Sequence, residues 1–361
     1  MAGRRGDAYD RAALLQACRE AERRLKGRVR YTAVHEMLAS DLFPSQPALP
    51  QFSNGDETHV FFKLETQQLS GSFKIRGALN AILQLPSGSH VIAHSSGNHA
   101  AAVALAARVH DCEATIVVPA SAPRCKTDLV RQFGGRLEFC ENSMEAREQR
   151  TEALREMIPH AHVIPPFNDE RVIAGQSTIA AEFLSQVPDL EAIIVPVSGG
   201  GMISGIALVA KHFNPQIKIY AAEPCGKTGD RADVYNAHRR PDGLGPSSTD
   251  TFISPDTIAD GLRATPGSIT WPIINDLVDA VIVVDETEIV SAMQICFEQL
   301  KLVVEPSSAV GVAALRQALL LRGTTAAHAQ PQLASMHRIG VILCGANVDL
   351  GALWHEANAH T

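Results

Sequence analysis

Short apolar runs alternate with amphipathic runs along most of the chain, and this alternation restricts the fold more than any other feature. Residues 192–197 and 339–343 are apolar at every position, which is typical of strands that are covered on both faces. Strands that alternate with helices form parallel sheets with helices packed on each face. The sequence therefore predicts an α/β fold with two open, twisted, mostly parallel sheets flanked by helices.

The alternating pattern falls into two blocks, and we expect one sheet from each. Residues 90–167 are predicted to form a small mobile domain, and residues 1–89 and 168–361 a larger one. Ligands of such sheets lie beyond the carboxyl ends of the strands. Polar motifs follow predicted strands at four places, which are residues 95–99, Asn168, residues 198–202 and residues 344–347. This shared placement predicts a single site.

Composition and charge exclude several classes of function. The chain has 361 residues, is 45% apolar and carries a formal net charge of −7, so it has no basic footprint for nucleic acid. Its apolar runs are too short to cross a bilayer, and no secretory signal follows Arg4 and Arg5. The seven cysteines lack metal-binding spacing, which favours a reducing compartment. We expect a cytoplasmic protein that binds neither nucleic acid nor membrane.

Lys74 follows a turn of small residues and stands in the first turn of a predicted helix. The preceding segment, SGSF at residues 70–73, allows the backbone to approach a ligand closely. The helix dipole disfavours a cation at this position, whereas a Schiff-base nitrogen or a deprotonated amine is not penalised. Lys74 is therefore a candidate Schiff-base lysine. From this stretch alone, a solvated lysine beside Arg76 is an equal alternative.

A glycine-rich turn, SGGGM at residues 198–202, leads from an apolar strand into a helix. Glycines let the backbone N–H groups converge at the positive end of the helix, which suits a phosphate. A tight turn without a ligand is the structural alternative. A dinucleotide-binding fingerprint is a second functional alternative, because Glu223 ends the next strand, where a ribose-binding acid would lie. The last glycine of that fingerprint would fall on Ser204, so we favour the phosphate site.

The remaining motifs are ambiguous when each is taken alone. Residues 95–99, with the sequence SSGNH, offer hydroxyls, an amide and N–H groups at a helix start, which suits a carboxylate. An ordinary helix cap is an equally good interpretation. Cys344 alone indicates a buried packing thiol. Arg147 alone indicates a solvated residue of a charged helix.

Taken together, these motifs resemble the serine racemases and serine/threonine dehydratases, which are pyridoxal 5′-phosphate enzymes of fold type II. The resemblance begins with SGSFKIRGA at residues 70–78 and covers about residues 28–320 and 339–352. Residues 270–274 and 276–279 are similar to the serine racemases in particular. Further matching motifs follow in the family's order, at residues 95–99, 172–176, 198–205, 257–261, 305–308 and 344–349.

The resemblance implies a role for each matched residue and assigns the cofactor to the larger domain. Lys74 would carry the cofactor and act as a base on one face, and Ser96 would be the acid on the opposite face. Phe73 would stack on the ring, Asn98 would bond the phenolic oxygen, and Cys344 would face the pyridine nitrogen. The phosphate residues implied are Gly199, Gly200, Gly201 and Met202. The substrate-binding residues implied are Ser95, Ser96, Asn98, His99 and Arg147.

The resemblance also implies a divalent cation, Mg²⁺ or else Ca²⁺ or Mn²⁺, at Glu223, Asp233 and the backbone around Arg231. The segment between the two carboxylates is a few residues longer here than in the family, which puts this ligation in question. Leu69 replaces a lysine that helps mammalian-type racemases bind a nucleotide, so we do not expect nucleotide activation. Residues 41–58 and 322–338 have no counterpart that the resemblance assigns.

These assignments predict an enzyme that acts on serine as an isomerase and a lyase. Lys74 would remove the α-proton of L-serine, and reprotonation by Ser96 would give D-serine. Loss of the β-hydroxyl would give pyruvate and ammonia instead. The main alternative is an L-threonine/L-serine dehydratase, and dehydratases without racemase activity usually carry alanine at position 96. A nicotinamide-dependent enzyme and a non-enzymatic cofactor carrier are further alternatives. The family's usual homodimer is expected.

Overall fold

The structure of the protein is a computed structural model, which describes residues 9–44, 57–122, 124–229, 232–240, 245, 255–320 and 335–349. Within these residues the strands are β1 (Val34–Leu38), β2 (His59–Leu64), β3 (His90–His94), β4 (Glu113–Pro119), β5 (Arg136–Cys140), β6 (His162–Val163), β7 (Ala192–Pro196), β8 (Lys218–Pro224), β9 (Ala280–Val284) and β10 (Arg338–Leu343). The helices are α1 (Arg11–Leu25), α2 (Ala39–Leu42), α3 (Lys74–Ile82), α4 (Asn98–Val109), α5 (Arg124–Gln132), α6 (Met144–Met157), α7 (Glu170–Gln186), α8 (Gly201–Phe213), α9 (Asp233–His238), α10 (Thr270–Leu277), α11 (Glu286–Glu298) and α12 (Pro306–Leu320).

The larger sheet has six strands in the order β1-β2-β10-β7-β8-β9. Its strands are parallel except β1, which runs antiparallel to β2 at the edge. The last strand, β10, lies in the interior, where Val341 is aligned with Phe62 on one side and with Ile194 on the other. Every residue of β7 is buried, as its continuous apolar sequence requires.

The smaller sheet has four parallel strands in the order β5-β4-β3-β6. Together the two sheets confirm the predicted α/β fold with two mostly parallel sheets. Helix α3 lies between them, because it packs against α4 of the smaller sheet and α7 of the larger one. Ile75 and Leu79 on α3 share an apolar core with Val91 and Ala93 of β3. The residue that begins α3 therefore stands at the junction of the two sheets.

Buried charges anchor α3 at this junction. The Arg76 guanidinium donates to both carboxylate oxygens of Glu65, each at 2.7 Å, and to those of Glu182 at 2.7 and 2.8 Å. Arg76 and Glu65 are both fully buried. Lys63, on the neighbouring β2, also donates to Glu182, at 2.9 Å. This ion-pair network ties the first turn of α3 to β2 and α7.

Several elements differ from the prediction. The Pro, Ser, Gln and Asn content of residues 41–58 predicts a surface loop, but α2 extends to Leu42, and residues 45–56 lie outside the described residues. The polar, turn-rich sequence of residues 225–254 predicts a long loop, but this segment contains α9. Strand β1 and helix α10 were not predicted. Most of the segment 322–338 lies outside the described residues, and Arg338 is the first residue of β10.

Two further observations bear on the environment of the chain. In the part of the chain that the structure describes, we find no helix with both the length and the apolar character that a membrane crossing needs. The six cysteines for which the structure gives a side-chain environment, a set that leaves out Cys125, are all free thiols.

Candidate active site

Lys74 is the first residue of α3, as the sequence predicted. Its Nζ atom donates to the Pro166 carbonyl oxygen at 2.8 Å and lies 5.0 Å from the centre of the Phe73 ring. Burial lowers the pKa of Lys74 from 10.5 to about 8, although Cys344 and Glu305 act in the opposite direction. A lysine with a lowered pKa has a neutral amine available near neutral pH, which a nucleophile or a base requires.

The turn before Lys74 is paired with the turn that follows β10. The Phe73 amide donates to the Cys344 carbonyl oxygen at 3.0 Å, and Ser72 forms a β-bridge with Gly345. Gly71 has a φ of 74°, and a Cβ atom there would lie 2.2 Å from Oδ1 of Asn347. Only glycine fits at this position. The pairing places the Cys344 thiol close to the amine of Lys74.

A hydrogen-bonded triad of Asn98, Glu305 and Asn347 stands beside this turn. The Asn98 amide donates to the two Glu305 oxygens at 2.7 and 3.0 Å. Its own oxygen accepts a hydrogen bond of 2.8 Å from Nδ2 of Asn347. Burial raises the pKa of Glu305. These bonds fix the orientation of the Asn98 amide at the start of α4. Sequence reasoning gave Glu305 no role, although it belongs to the matched motif at 305–308.

The glycine turn at 199–201 forms the N-terminus of α8. Gly200 has a φ of 87°, and a Cβ atom at Gly199 would lie 2.3 Å from the ring of Phe167. The Thr270 hydroxyl donates to the Gly199 carbonyl oxygen at 2.8 Å, which steadies the turn. Since no side chain fits at these positions, the turn offers backbone N–H groups and the positive end of a 13-residue helix. It fits a phosphate group.

The segment 166–168 links the lysine to the glycine turn. Pro166 accepts the hydrogen bond of Lys74, and the next residue, Phe167, covers Gly199 and Gly201. Asn168 Oδ1 accepts from the Ile269 amide at 2.8 Å, next to α10. The strand-end motifs are thus brought together at one place between the two sheets.

The predicted substrate residues follow β3 on the smaller sheet. Ser95 and Ser96 are both partly buried, and Oγ of Ser95 accepts from the Gly97 amide at 3.2 Å. Arg147, on α6, is close enough to lower the pKa of His94, for which burial is the larger cause. Arg147 therefore lies near the end of β3, where the serine pair begins, and its Nε atom donates to the Ser143 carbonyl oxygen at 3.3 Å.

His99 has a different environment from the serines. Its Nε2 atom hydrogen-bonds the Ile164 carbonyl oxygen at 2.8 Å, which requires the proton on that nitrogen. Burial and then the charge of Lys74 lower the pKa of His99 to about 3, so the imidazole is neutral. Its Nδ1 has no hydrogen-bond partner among the described residues.

The two predicted metal ligands lie close together at the end of β8. The Glu223 carboxylate accepts from the amides of Val234 and Tyr235, each at 2.9 Å, and Asp233 accepts from the Thr265 hydroxyl at 2.9 Å. Burial, with the Asp233 charge as a smaller cause, raises the pKa of Glu223 to about 8. Arg231 lies outside the described residues. Among the residues that are described, no three His, Cys, Asp or Glu side chains form a metal cluster.

Two buried hydroxyls near Cys344 have no hydrogen-bond partner in the described part of the chain, Ser72 Oγ and Ser308 Oγ. Burial and the nearby Glu305 raise the pKa of the Cys344 thiol, which is therefore neutral. A lysine amine, an anion-binding turn and neutral polar groups beside them suit an aldehyde that carries a phosphate and a pyridine ring. The fold and the site define the class as an α/β enzyme that uses pyridoxal phosphate.

Comparisons with known proteins agree with this class. The family described as pyridoxal-phosphate dependent enzyme matches residues 46–345. A serine racemase of Oryza sativa subsp. indica is 42% identical over 353 residues, which cover 97% of this chain and 95% of that protein.

Solved structures give the same result. Maize serine racemase has a TM-score of 0.81 and 41% identity, and the match covers 96% of this chain and 97% of that one. A processed threonine deaminase isoform of Solanum lycopersicum has a TM-score of 0.80 and 28% identity, covering 97% and 89%. The chain therefore belongs to the pyridoxal-phosphate dependent enzymes, in the branch that contains the serine racemases and threonine deaminases.

Proposed function

We propose that the protein is a pyridoxal-phosphate-dependent serine racemase, which interconverts L- and D-serine and also eliminates water from serine to give pyruvate and ammonia. The observation that carries this proposal is the 42% identity with a serine racemase over 97% of the chain. The residues of the candidate site provide the chemistry. The substrate is a small amino acid, serine or threonine.

The cofactor, when bound, supplies an electron sink for the charge that develops at the substrate α-carbon. Lys74 would hold the cofactor, and its amine, with a pKa of about 8, would take the α-proton of L-serine on one face. Ser96 would exchange the proton on the other face. Ser95, the N–H groups at the start of α4 and Arg147 would hold the substrate carboxylate.

The other cofactor residues would set how long the developing charge persists. Gly199, Gly200, Gly201 and Met202 would hold the phosphate, Phe73 would pack on the ring, and the Asn98 amide would face the phenolic oxygen. The neutral Cys344 thiol would leave the pyridine nitrogen unprotonated. A weaker electron sink lets reprotonation and β-elimination compete, which is consistent with two products.

Product analysis with L-serine tests the proposal. We expect the protein purified with pyridoxal phosphate to form D-serine, measured by chiral chromatography, and pyruvate, measured by a coupled assay. Lys74→Ala should lose both activities and the visible absorbance of the bound cofactor. Formation of pyruvate without D-serine would show that the protein is a dehydratase and not a racemase. The absence of both products would reject the proposal.

A dehydratase acting on L-threonine or L-serine is the second candidate function, because a threonine deaminase shares the fold over nearly the whole chain. Rates of keto-acid formation from L-threonine and L-serine, set against D-serine formation, separate the two functions.

We further propose that residues 90–167 move as a small domain against residues 1–89 and 168–361 when substrate binds. An ion pair between Lys126 on α5 and Asp260 joins the two parts and supports a closed arrangement.

The enzyme would be a homodimer, which light scattering would test. With Leu69 in the nucleotide position, ATP should leave the rate unchanged. The free cysteines are consistent with a cytoplasmic location.

A divalent cation, Mg²⁺ or else Ca²⁺ or Mn²⁺, is proposed at Glu223 and Asp233. Both supply carboxylate oxygens, which are the ligands that hard cations prefer, and Mg²⁺ usually keeps several waters in such sites. The cation would stabilise the segment around α9 and would take no part in the chemistry at Lys74.

A further inference from the structure

The first turn of α12 lies against the turn that carries Cys344. The Glu305 amide, just before α12, donates to the Gly345 carbonyl oxygen at 3.1 Å. One turn later, a Cβ atom at Gly311 would meet Val341 of β10 at 3.1 Å and Pro196 of β7 at 3.5 Å. The helix therefore starts at the carboxyl edge of the larger sheet, beside the end of β10. This start places the first turn of α12 beside the turn that carries Cys344.

Ser308 is the residue of this turn that stands next to the thiol. Its side chain is 0% exposed, and its hydroxyl has no hydrogen-bond partner among the described residues. A buried serine in a helix normally bonds a carbonyl oxygen of the preceding turn. Ser177 on α7 does so, donating to the Ala174 carbonyl oxygen at 2.7 Å. The Cys344 thiol beside it is only a weak acceptor, so the Ser308 hydroxyl is a buried donor without a strong partner among the described residues.

We propose that Ser308 donates a hydrogen bond to the pyridine nitrogen of bound pyridoxal phosphate, so that Ser308 and Cys344 hold this nitrogen together. This inference rests on the proposed binding of the cofactor at Lys74. A thiol is a weak donor and a hydroxyl is a stronger one, so Ser308 supplies the principal bond. The pair is formed from two elements that are distant in the sequence, α12 and the turn after β10.

The surroundings also determine the charge of that nitrogen. The positive end of α12, a helix of 15 residues, disfavours a cation nearby, whereas Glu305, which raises the pKa of the Cys344 thiol, favours one. Because a serine hydroxyl is a very weak acid, the bond from Ser308 leaves its proton on the hydroxyl oxygen. The bond still withdraws electron density from the ring, so Ser308 strengthens the electron sink beyond what the thiol alone provides.

The direct test is the ¹⁵N NMR signal of the ring nitrogen in holoenzyme loaded with ¹⁵N-labelled pyridoxal phosphate. In Ser308→Ala the signal should move towards the position of a pyridine nitrogen without a hydrogen bond. The matched control is Ser177→Ala, since Ser177 is also a buried serine beside a buried thiol, that of Cys18. The control should leave the signal in place. A signal that moves in Cys344→Ala but not in Ser308→Ala would overturn the proposal.

Thermal unfolding with and without cofactor provides a second readout that does not depend on activity. Ser308→Ala removes a hydroxyl whose neighbour without cofactor is the weakly accepting Cys344 thiol, so the Tm of the apoprotein should change little. The rise in Tm on cofactor binding should shrink, and the affinity for pyridoxal phosphate should fall about tenfold. Ser177→Ala should instead lower the apoprotein Tm and keep the full rise.

The two experiments separate this inference from the proposed function. If the wild-type protein gives no bound ¹⁵N signal and no rise in Tm with pyridoxal phosphate, both proposals fail. If the wild-type protein binds the cofactor and Ser308→Ala behaves like Ser177→Ala, only the role of Ser308 fails, and its hydroxyl is structural.

Discussion

Ser96 decides the balance between the two proposed reactions, because a proton must be delivered on the face opposite Lys74 for D-serine to form. We expect Ser96→Ala to lower the rate of racemisation by about a hundredfold or more, the usual contribution of a general acid. Elimination from L-serine needs no proton at the α-carbon on the Ser96 face, because the departing hydroxyl can take its proton from the Lys74 side, and should stay within a few-fold of the wild-type rate. Chiral analysis and pyruvate assays on the same samples measure both rates. Equal losses of the two activities would contradict the assignment.

The lowered pKa of Lys74 predicts the pH dependence of cofactor loading. Only the neutral amine attacks an aldehyde, so the rate at which apoprotein takes up pyridoxal phosphate should rise with pH and level off above about 8. An unperturbed lysine, with a pKa of 10.5, would give a rate that keeps rising beyond pH 9. Stopped-flow absorbance follows the uptake, and Lys74→Ala supplies the blank. A tenfold rise between pH 9 and 10 would refute the prediction.

At the scale of elements, α3 depends on the buried charges that fix its first turn. Glu65→Gln removes one carboxylate from the buried Arg76 and should lower the free energy of unfolding by about 3–5 kcal/mol. Glu36→Gln is the matched control, because Glu36 forms an exposed pair with His59 at 2.7 Å and should cost less than about 1 kcal/mol. Urea titration measures both variants. Similar losses would mean that the buried network does not stabilise α3.

The elements that sequence patterns predicted are those with a continuous apolar or amphipathic period. Strand β1 was missed because it is a short edge strand in which His35 and Glu36 interrupt the apolar pattern. Helix α9 was missed because its six residues stand in a polar segment, and the Glu223 carboxylate, from another element, satisfies its first amides. Such elements depend on tertiary contacts that a local pattern does not contain.

The residues of the candidate site also differ in whether a local sequence pattern predicts them. Lys74 and the glycine turn could be predicted because each is a compact local motif with its own chemistry. Glu305 and Ser308 could not be given roles, because their functions arise only where α12 meets the turn after β10. Cys344 alone indicated a buried packing thiol. Only the structure, which pairs its turn with the turn before Lys74, places it in the candidate site.

At the scale of the whole molecule, the proposed cation should stabilise the protein in a pH-dependent way. Glu223 is protonated below its pKa of about 8, so protons compete with Mg²⁺ and the rise in Tm with Mg²⁺ should be larger at pH 8.5 than at pH 6.5. At about 100 times the dissociation constant, Mg²⁺ would contribute about 2.7 kcal/mol.

Scanning calorimetry with and without MgCl₂ measures this effect. Glu223→Gln should abolish the Mg²⁺-dependent rise in Tm, whereas Glu20→Gln on the exposed face of α1 should preserve it. A rise that survives in Glu223→Gln would place the cation elsewhere.

The interior position of β10 has a consequence for biosynthesis. Of the described strands it is the last to leave the ribosome, yet it separates β2 from β7. Translation at about 5–20 residues per second needs about 7–30 s to extend the nascent chain from the end of β7 to the end of β10. During that time the edges of β2 and β7 that β10 later covers have no pairing strand, so a chaperone or another unfolded chain can bind to them. The partner of the Lys74 turn arrives in the same final segment, so the vitamin-derived coenzyme can be captured only after translation of this strand is finished.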